Sequence, residues 1–220
     1  MKTAVCISGK MDFCRESLAS LRQNILDHND CDLFVHGYQC PQSESLALEI
    51  GSEKCLFEPP TRDFEIPDYF FRAKYPETNI ESLFWMWRNI FKSVNLVAGT
   101  YDAVIRTRWD VIYPEPLRLD GAQFDTYWIP RGGDHRRGIC DIFAISSQSN
   151  MKYYASLHEK LVQYVDGGVI AHPEILLKHH LLFQPDRIST VTRFDYPLHL
   201  IRGTTPRLKL HPANRVFDKS

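Results

Sequence analysis

The sequence predicts an α/β protein with a doubly wound, mixed and mainly parallel sheet flanked by helices. Three observations predict it. Thr3–Ser8, a glycine, an amphipathic stretch and Cys31–Gly37 read in succession as strand, turn, helix and strand, and such a unit in one sheet implies a right-handed parallel crossover. A second amphipathic stretch, after Thr78, feeds Tyr101–Ile105, an apolar β-rich run of the kind buried on both faces. That run changes at once into Arg106-Thr107-Arg108-Trp109-Asp110. Two guanidiniums and a carboxylate at the end of a buried strand are costly unless something there uses them. In open α/β sheets the carboxyl ends of the strands are where ligands bind.

Composition narrows the classes. The 220 residues, 44% of them hydrophobic, suit a single domain over 1–220. A net charge of −1 gives no bulk reason to expect nucleic acid or an anionic membrane as partner. The arginines are local, concentrated between Arg106 and Arg137 and interleaved with aspartates, which suits a compact anionic ligand. The six cysteines show no C-x-x-C or Cys/His zinc spacing and read as small core residues, so a reduced, cytoplasmic setting is the default. No apolar run reaches membrane-spanning length, and MKTAVCISGK reads as a first strand rather than a signal peptide.

In chain order, the TAVCIS strand ends at Ser8-Gly9-Lys10, and Asp12 is placed to cap a helix over about 13–28 with Leu18, Leu21, Ile25 and Leu26 on one face. Strand, glycine turn and helix N-terminus can present backbone N–H groups to a phosphate. A tight βα turn with a surface lysine fits the same residues, since neither a Walker A loop nor G-x-G-x-x-G is present. Cys31–Gly37 follows, with His36 and Tyr38 at its end, read either as structural residues or as ligand contacts. Residues 39–77, rich in proline and aromatics, read as a long loop packed on the domain.

Thr78-Asn79-Ile80-Glu81 has the capping-box pattern T-x-x-E. The helix behind it keeps Leu83, Phe84, Trp87, Ile90, Phe91 and Val94 as its apolar stripe and stops at Gly99, with Trp85 and Arg88 off the stripe's centre, read first as core packing plus a solvated arginine and second as ligand contacts. Beyond the Arg-rich strand end come a strand at Thr126–Ile129, a mobile basic loop at Arg131–Gly138, and a strand at Ile139–Ile145 with Asp141 inside it. A helix over about Asn150–Val165 follows, then one opened by His172-Pro173-Glu174, with proline in the first turn. The region 185–220 reads as irregular, with short strand-like runs from Ile188 and the basic residues Arg193, Arg202, Arg207 and Lys209.

The segments AVCISGK, CDLFVHGY, YDAVIRTRWD, GICDIFAIS and HPEILLKHHL, in that order, resemble the GT-A-fold glycosyltransferase-like proteins of bacterial and viral surface-polysaccharide pathways, close to the WavE lipopolysaccharide-synthesis group. The resemblance implies a GT-A type sheet and transfer of a sugar from a nucleoside-diphosphate donor to a hydroxyl of a glycan acceptor. It implies Mn²⁺ or Mg²⁺ at Asp110, the last carboxylate of the D-x-D position, where Arg108 stands in place of the first aspartate. A guanidinium can itself hold diphosphate, so Arg106 or Arg108 is assigned to phosphate, although an Arg–Asp surface pair on a turn fits the same residues. Ser8, Gly9, Lys10 and Arg15 match the nucleotide loop, and His36 and Tyr38 lie toward the nucleoside. Asp141 is the first candidate for catalytic base and Glu174 the second, although a first-turn acid also suits the helix dipole alone. Two other readings compete: a non-catalytic carbohydrate- or nucleotide-binding module on a degenerate transferase fold, favoured by the missing aspartate, and a nucleotidyltransferase, disfavoured by the reduced Ser8-Gly9-Lys10 motif.

Overall fold

The computed structural model describes residues 1–185 and 189–201. Arg202, Arg207 and Lys209, and the start of the C-terminal region at Ile188, lie outside the described residues. The strands are β1 (Lys2–Gly9), β2 (Asp30–Tyr38), β3 (Cys55–Glu58), β4 (Ala103–Arg108), β5 (Val111–Ile112), β6 (Tyr127–Pro130), β7 (Ala144–Ser146), β8 (Val191–Phe194) and β9 (His199–Leu200). The helices are α1 (Cys14–Asn24), α2 (Ser43–Ile50), α3 (Ile80–Asn95), α4 (Gln148–Ala155), α5 (Leu157–Asp166) and α6 (Pro173–Leu182). Seven strands form one sheet in the order β3-β2-β1-β4-β7-β6-β8, and β5 pairs with β9 in a separate ribbon. β1, β2, β3 and β4 run parallel, β7 is antiparallel to both β4 and β6, and β8 is parallel to β6. The expected mixed, mainly parallel α/β sheet is therefore present.

β1 sits between β2 and β4, and Ala4–Ile7 have no exposed surface, as a central strand covered on both faces requires. Side chains alternate along each strand, so the even-numbered residues of β2 and β4 share a face. α3 covers that face: its Asn89 bonds Tyr38, and its Arg88 and Lys92 bond Glu58. α1 lies by the other face, where Asn24 Nδ2 donates to the Tyr113 carbonyl at 2.6 Å and the Tyr113 hydroxyl pairs with Thr107. Ile80, Leu83, Phe84, Trp87, Ile90 and Val94 form the buried stripe of α3, much as the periodicity predicts.

Several local expectations are corrected. Asp12 does not cap α1; Phe13 occupies that position with no side-chain bond, and the helix ends at Asn24, short of residue 28. Asn79, not Thr78, caps α3, its side chain accepting from the Ser82 amide at 2.9 Å. α3 ends at Asn95, well before Gly99. The 39–77 segment is not all loop: α2 and β3 lie within it, and β3 supplies the sheet's edge. The helix expected over 150–165 is two helices broken at Ser156, whose hydroxyl donates to the Tyr153 carbonyl at 2.8 Å and competes with helical bonding. The strand expected at 139–145 shrinks to β7, and Asp141 precedes it rather than sitting inside it.

Candidate active site

Parallel register brings Ser8, His36 and Arg108 into one row at the carboxyl ends of β1, β2 and β4. Gly9, next in the chain, has φ +119°, a backbone angle side-chain-bearing residues rarely adopt, although a Cβ there would meet open space. Conformation, not crowding, demands glycine. Lys10 is exposed beyond it. Arg15, also exposed, lines a groove of about 280 Å³ between α1 and α2 with Cys14, Leu18, Arg22, Gln42 and Glu49, and neither Ser8 nor Arg108 lines that groove.

Arg108 and Asp110 flank Trp109, which is wholly buried and anchors the strand end. Arg108 Nε and Nη2 donate to the two Asp110 carboxylate oxygens at 2.8 and 2.7 Å, a forked pair with about a quarter of each side chain exposed. The Asp110 carbonyl accepts from the Ile201 amide at 2.9 Å, so the β5–β9 ribbon fixes this turn. Arg106, two residues back on the same face, has no exposed surface. Of the two arginines offered to phosphate, Arg108 stands at the strand end and Arg106 lies one layer beneath.

Because β7 returns antiparallel to β4, the residues before it pass the end of β4. Asp141, 4% exposed, comes close enough for its carboxylate to act on the Arg108 charge together with Asp110. This segment is held by α6: the Ile139 amide donates to the Glu174 carbonyl at 3.0 Å. A Cβ on Gly138 would lie 2.4 Å from the Glu174 carbonyl carbon, so only glycine allows the approach. The Cys140 amide donates to Asp134 Oδ1 at 2.8 Å. Glu174 is thus delivered to the neighbourhood of Asp141, and the two candidate carboxylates, far apart in sequence, interact.

Their interaction shows in Glu174. Burial, then the Asp141 carboxylate beside it, pushes its carboxyl up from an ordinary 4.5 to about 8, with the Arg108 charge opposing. A first-turn acid serving the helix dipole alone would be ionised and wet; this one is enclosed, with His172 Nδ1 2.8 Å from Oε2 but off the line of a hydrogen bond. In the folded protein Glu174 keeps its proton up to about pH 8, while an unfolded chain releases it near 4.5. The native state then binds more protons across that window, so stability falls as pH rises through it. Relative to Glu174→Gln, the wild-type melting temperature is expected to drop progressively from pH 4.5 to 8. Parallel melting curves for the two proteins over that range would rule out the raised carboxyl.

His36 and Tyr38 are tied into a polar network. His36 is fully buried with Nε2 2.9 Å from Glu58 Oε2, and Tyr38 shares a hydrogen bond with Asn89. Arg88 is not solvated, as expected from the helix pattern, but 5% exposed, forking to Asp63 at 2.5 Å twice and reaching Glu58 at 3.1 Å. Trp85 stacks edge-on to Tyr38 and Phe64 beneath the Arg88 guanidinium. The basic loop at 131–138 is held by contacts of Arg136 with Glu77 and Tyr75 and of Arg193 with Asp134. Sequence reasoning missed Glu58, Asp134, His172 and Gly138; the H-P-E triplet and the glycines of the loop were the visible signals.

For a divalent cation, Asp110 offers one carboxylate, and both its oxygens already accept from Arg108. Among the described residues no three His, Cys, Asp or Glu side chains are grouped to hold a metal. The donor set does not make a protein-held cation site, and no step below runs through one.

No protein-family model matches the sequence, and no curated protein matches it. Solved structures do. The apo form of the glycosyltransferase GlyE of Streptococcus pneumoniae TIGR4 superimposes over 89% of this chain with a TM-score of 0.51 at 13% identity. The fold is GT-A-like. A second GlyE structure gives 0.50 over 88% of this chain at 14% identity. The chain spans about 45% of the length of those structures, and at such identity the likeness is one of fold.

Proposed function

We propose that the protein is a nucleotide-sugar-dependent glycosyltransferase that moves a sugar from a nucleoside-diphosphate donor to a hydroxyl of a glycan or polysaccharide. The observation that carries this reading is the meeting of the Arg108–Asp110 strand end with the buried Asp141–Glu174 pair. Transfer asks for charge stabilisation on the leaving diphosphate and a base for the attacking hydroxyl. Arg108, at the open end of β4, can turn its fork from Asp110 to diphosphate oxygens, with Lys10 and the Gly9 turn beside it on β1. Asp141 takes the acceptor proton. Glu174, held protonated, leaves Asp141 as the single base of the pair and can donate a hydrogen bond to substrate.

The GlyE likeness of fold, the resemblance of the order of short motifs to the WavE-like surface-polysaccharide proteins and the unpaired state of all six cysteines support a cytoplasmic enzyme of that kind. No helix among the described residues is long and apolar enough to cross a membrane. Mn²⁺ or Mg²⁺ belongs to the proposal only as an ion brought with the donor. One specific feature favours a second reading: the closed Arg108–Asp110 pair, at a position where transferases of this type carry aspartate, suits a module that binds nucleotide sugar without turning it over. Incubation with UDP-, GDP-, CDP- and dTDP-sugars separates the two. Slow release of free sugar from at least one donor is expected of the transferase; binding with no release from any donor would establish the module.

A further inference from the structure

The basic loop beside Glu174 carries more cations than its carboxylates match. Arg136 pairs with Glu77 at 2.9 Å, Arg193 with Asp134 at 3.0 Å and Arg131 with Asp195 at 3.4 Å, which uses each acid once. Arg137 and Lys178 remain, and neither is in an ion pair among the described residues.

Both stand against Glu174. A Cβ on Gly138 would lie 2.4 Å from the Glu174 main chain, so Arg137, the residue before it, is carried to the start of α6. Lys178 follows Glu174 by four residues on α6, one turn along the same face. Its Nζ donates to the Arg137 carbonyl at 2.9 Å, which brings the two cationic residues together. That contact uses one of three ammonium donors, and the exposed Arg137 guanidinium makes no hydrogen bond among the described residues. The backbone holds this presentation at a cost. Arg136 and Arg137 have φ of 52° and 64°, a left-handed region that side-chain-bearing residues seldom occupy and that concentrates at functional sites. Arg136 is pinned there by Glu77 and by the Tyr75 ring, 4.7 Å from its guanidinium carbon, and Tyr75 in turn packs on His172 with ring centroids 5.6 Å apart.

We propose that Arg137 and Lys178 hold an anionic substituent of the acceptor, a carboxylate or a phosphate on its sugar, so that the enzyme acts on an acidic glycan. An anion relieves the repulsion between the two cations and takes charge-assisted hydrogen bonds from both. The inference rests on the transferase reading, in which Asp141 takes the acceptor proton and the acceptor therefore lies by Glu174, while Arg108 serves the donor.

Wild-type protein on an immobilised array of uronate-bearing, phosphosugar-bearing and neutral glycans, with and without UDP, GDP, CDP and TDP, tests it. Acidic glycans of at least one class are expected to retain the protein and their neutral counterparts are not, and the class retained identifies the substituent. Arg137→Gln and Lys178→Gln are each expected to weaken that retention about tenfold, the loss of one charge-assisted contact. Arg118→Gln removes an equal charge between Leu117 and Leu119, which bond to Asn24 and Asn29 ahead of β2, at the opposite end of the sheet. At that distance screening leaves retention within about twofold. Preference for neutral glycans, retention of none, or an equal loss in Arg118→Gln overturns the inference. The donor screen reads the transfer reaction separately: acidic glycans bound by a protein that releases sugar from no donor leave this site standing and remove only the chemistry.

Discussion

Asp141→Asn is expected to lower kcat for sugar transfer by about 10²–10⁴-fold, the usual contribution of a positioned general base, while leaving the affinity for nucleoside diphosphate within about threefold. The prediction is specific because Asn keeps the shape of a side chain that is 4% exposed and that makes no hydrogen bond among the described residues. It also removes the negative charge that raises Glu174, so the Glu174 carboxyl is expected to titrate lower in the variant. Steady-state kinetics with the donor identified by the hydrolysis screen measure the first effect, and the pH dependence of stability measures the second. A variant with unchanged kcat would transfer the role to another group or remove it.

Glu58→Ala is the largest expected stability change. The carboxylate accepts from Lys92 Nζ at 2.6 and 2.8 Å, from Arg88 Nη1 at 3.1 Å and from His36 Nε2 at 2.9 Å. Burial alone would raise its pKa; the bonds from Lys92 and His36 and the Arg88 charge bring it down to about 2. Truncation leaves a fully buried His36 and a nearly buried Arg88 short of their acceptor. Breaking a buried pair in this way costs about 3–5 kcal/mol; with Glu58 24% exposed the lower end applies, a fall of roughly 6–12 °C in melting temperature. Since the folded carboxyl titrates below its ordinary 4.5, this stabilisation is complete above that value and is lost as pH falls toward 2. Thermal unfolding at pH 7 and pH 3 checks both statements: a loss under about 1 kcal/mol at pH 7 would show the network to be a surface ornament.

Legibility in the sequence followed local physics. β1, β2 and β4 announce themselves as unbroken apolar runs because a parallel sheet buries both faces, and α3 does so through a wide apolar stripe. β3 and α2 were hidden. The four residues of β3 are all half-buried at a sheet edge, and α2 buries only Ser43 and Leu46 and has no side-chain cap, so neither carries much periodic signal. The error at 139–143 has a different cause: the backbone of those residues bonds Asp134, six positions back from Cys140, and Glu174 at the start of α6, far along the chain from Ile139.

The site divides in the same manner. Arg108 and Asp110 were readable because charge at the end of a buried strand stands out against its neighbours. Asp141 and Glu174 could be named singly, as acids in apolar company, but their partnership depends on the backbone of Gly138 lying against that of Glu174. Arg88 was misread because its acceptors, Asp63 and Glu58, come from a segment whose path the sequence did not reveal.

The central claim is that the carboxyl end of β4 grips a diphosphate through Arg108. Calorimetric titration of UDP, GDP, CDP and TDP into the wild type and into Arg108→Ala, each with and without Mn²⁺, tests it most directly. The account predicts that at least one nucleoside diphosphate binds the wild type and that Arg108→Ala weakens it by about tenfold or more, in line with a charge-assisted fork worth roughly 1.5–3 kcal/mol. Equal affinity in the two proteins, or no binding of any of the four under either condition, would contradict it.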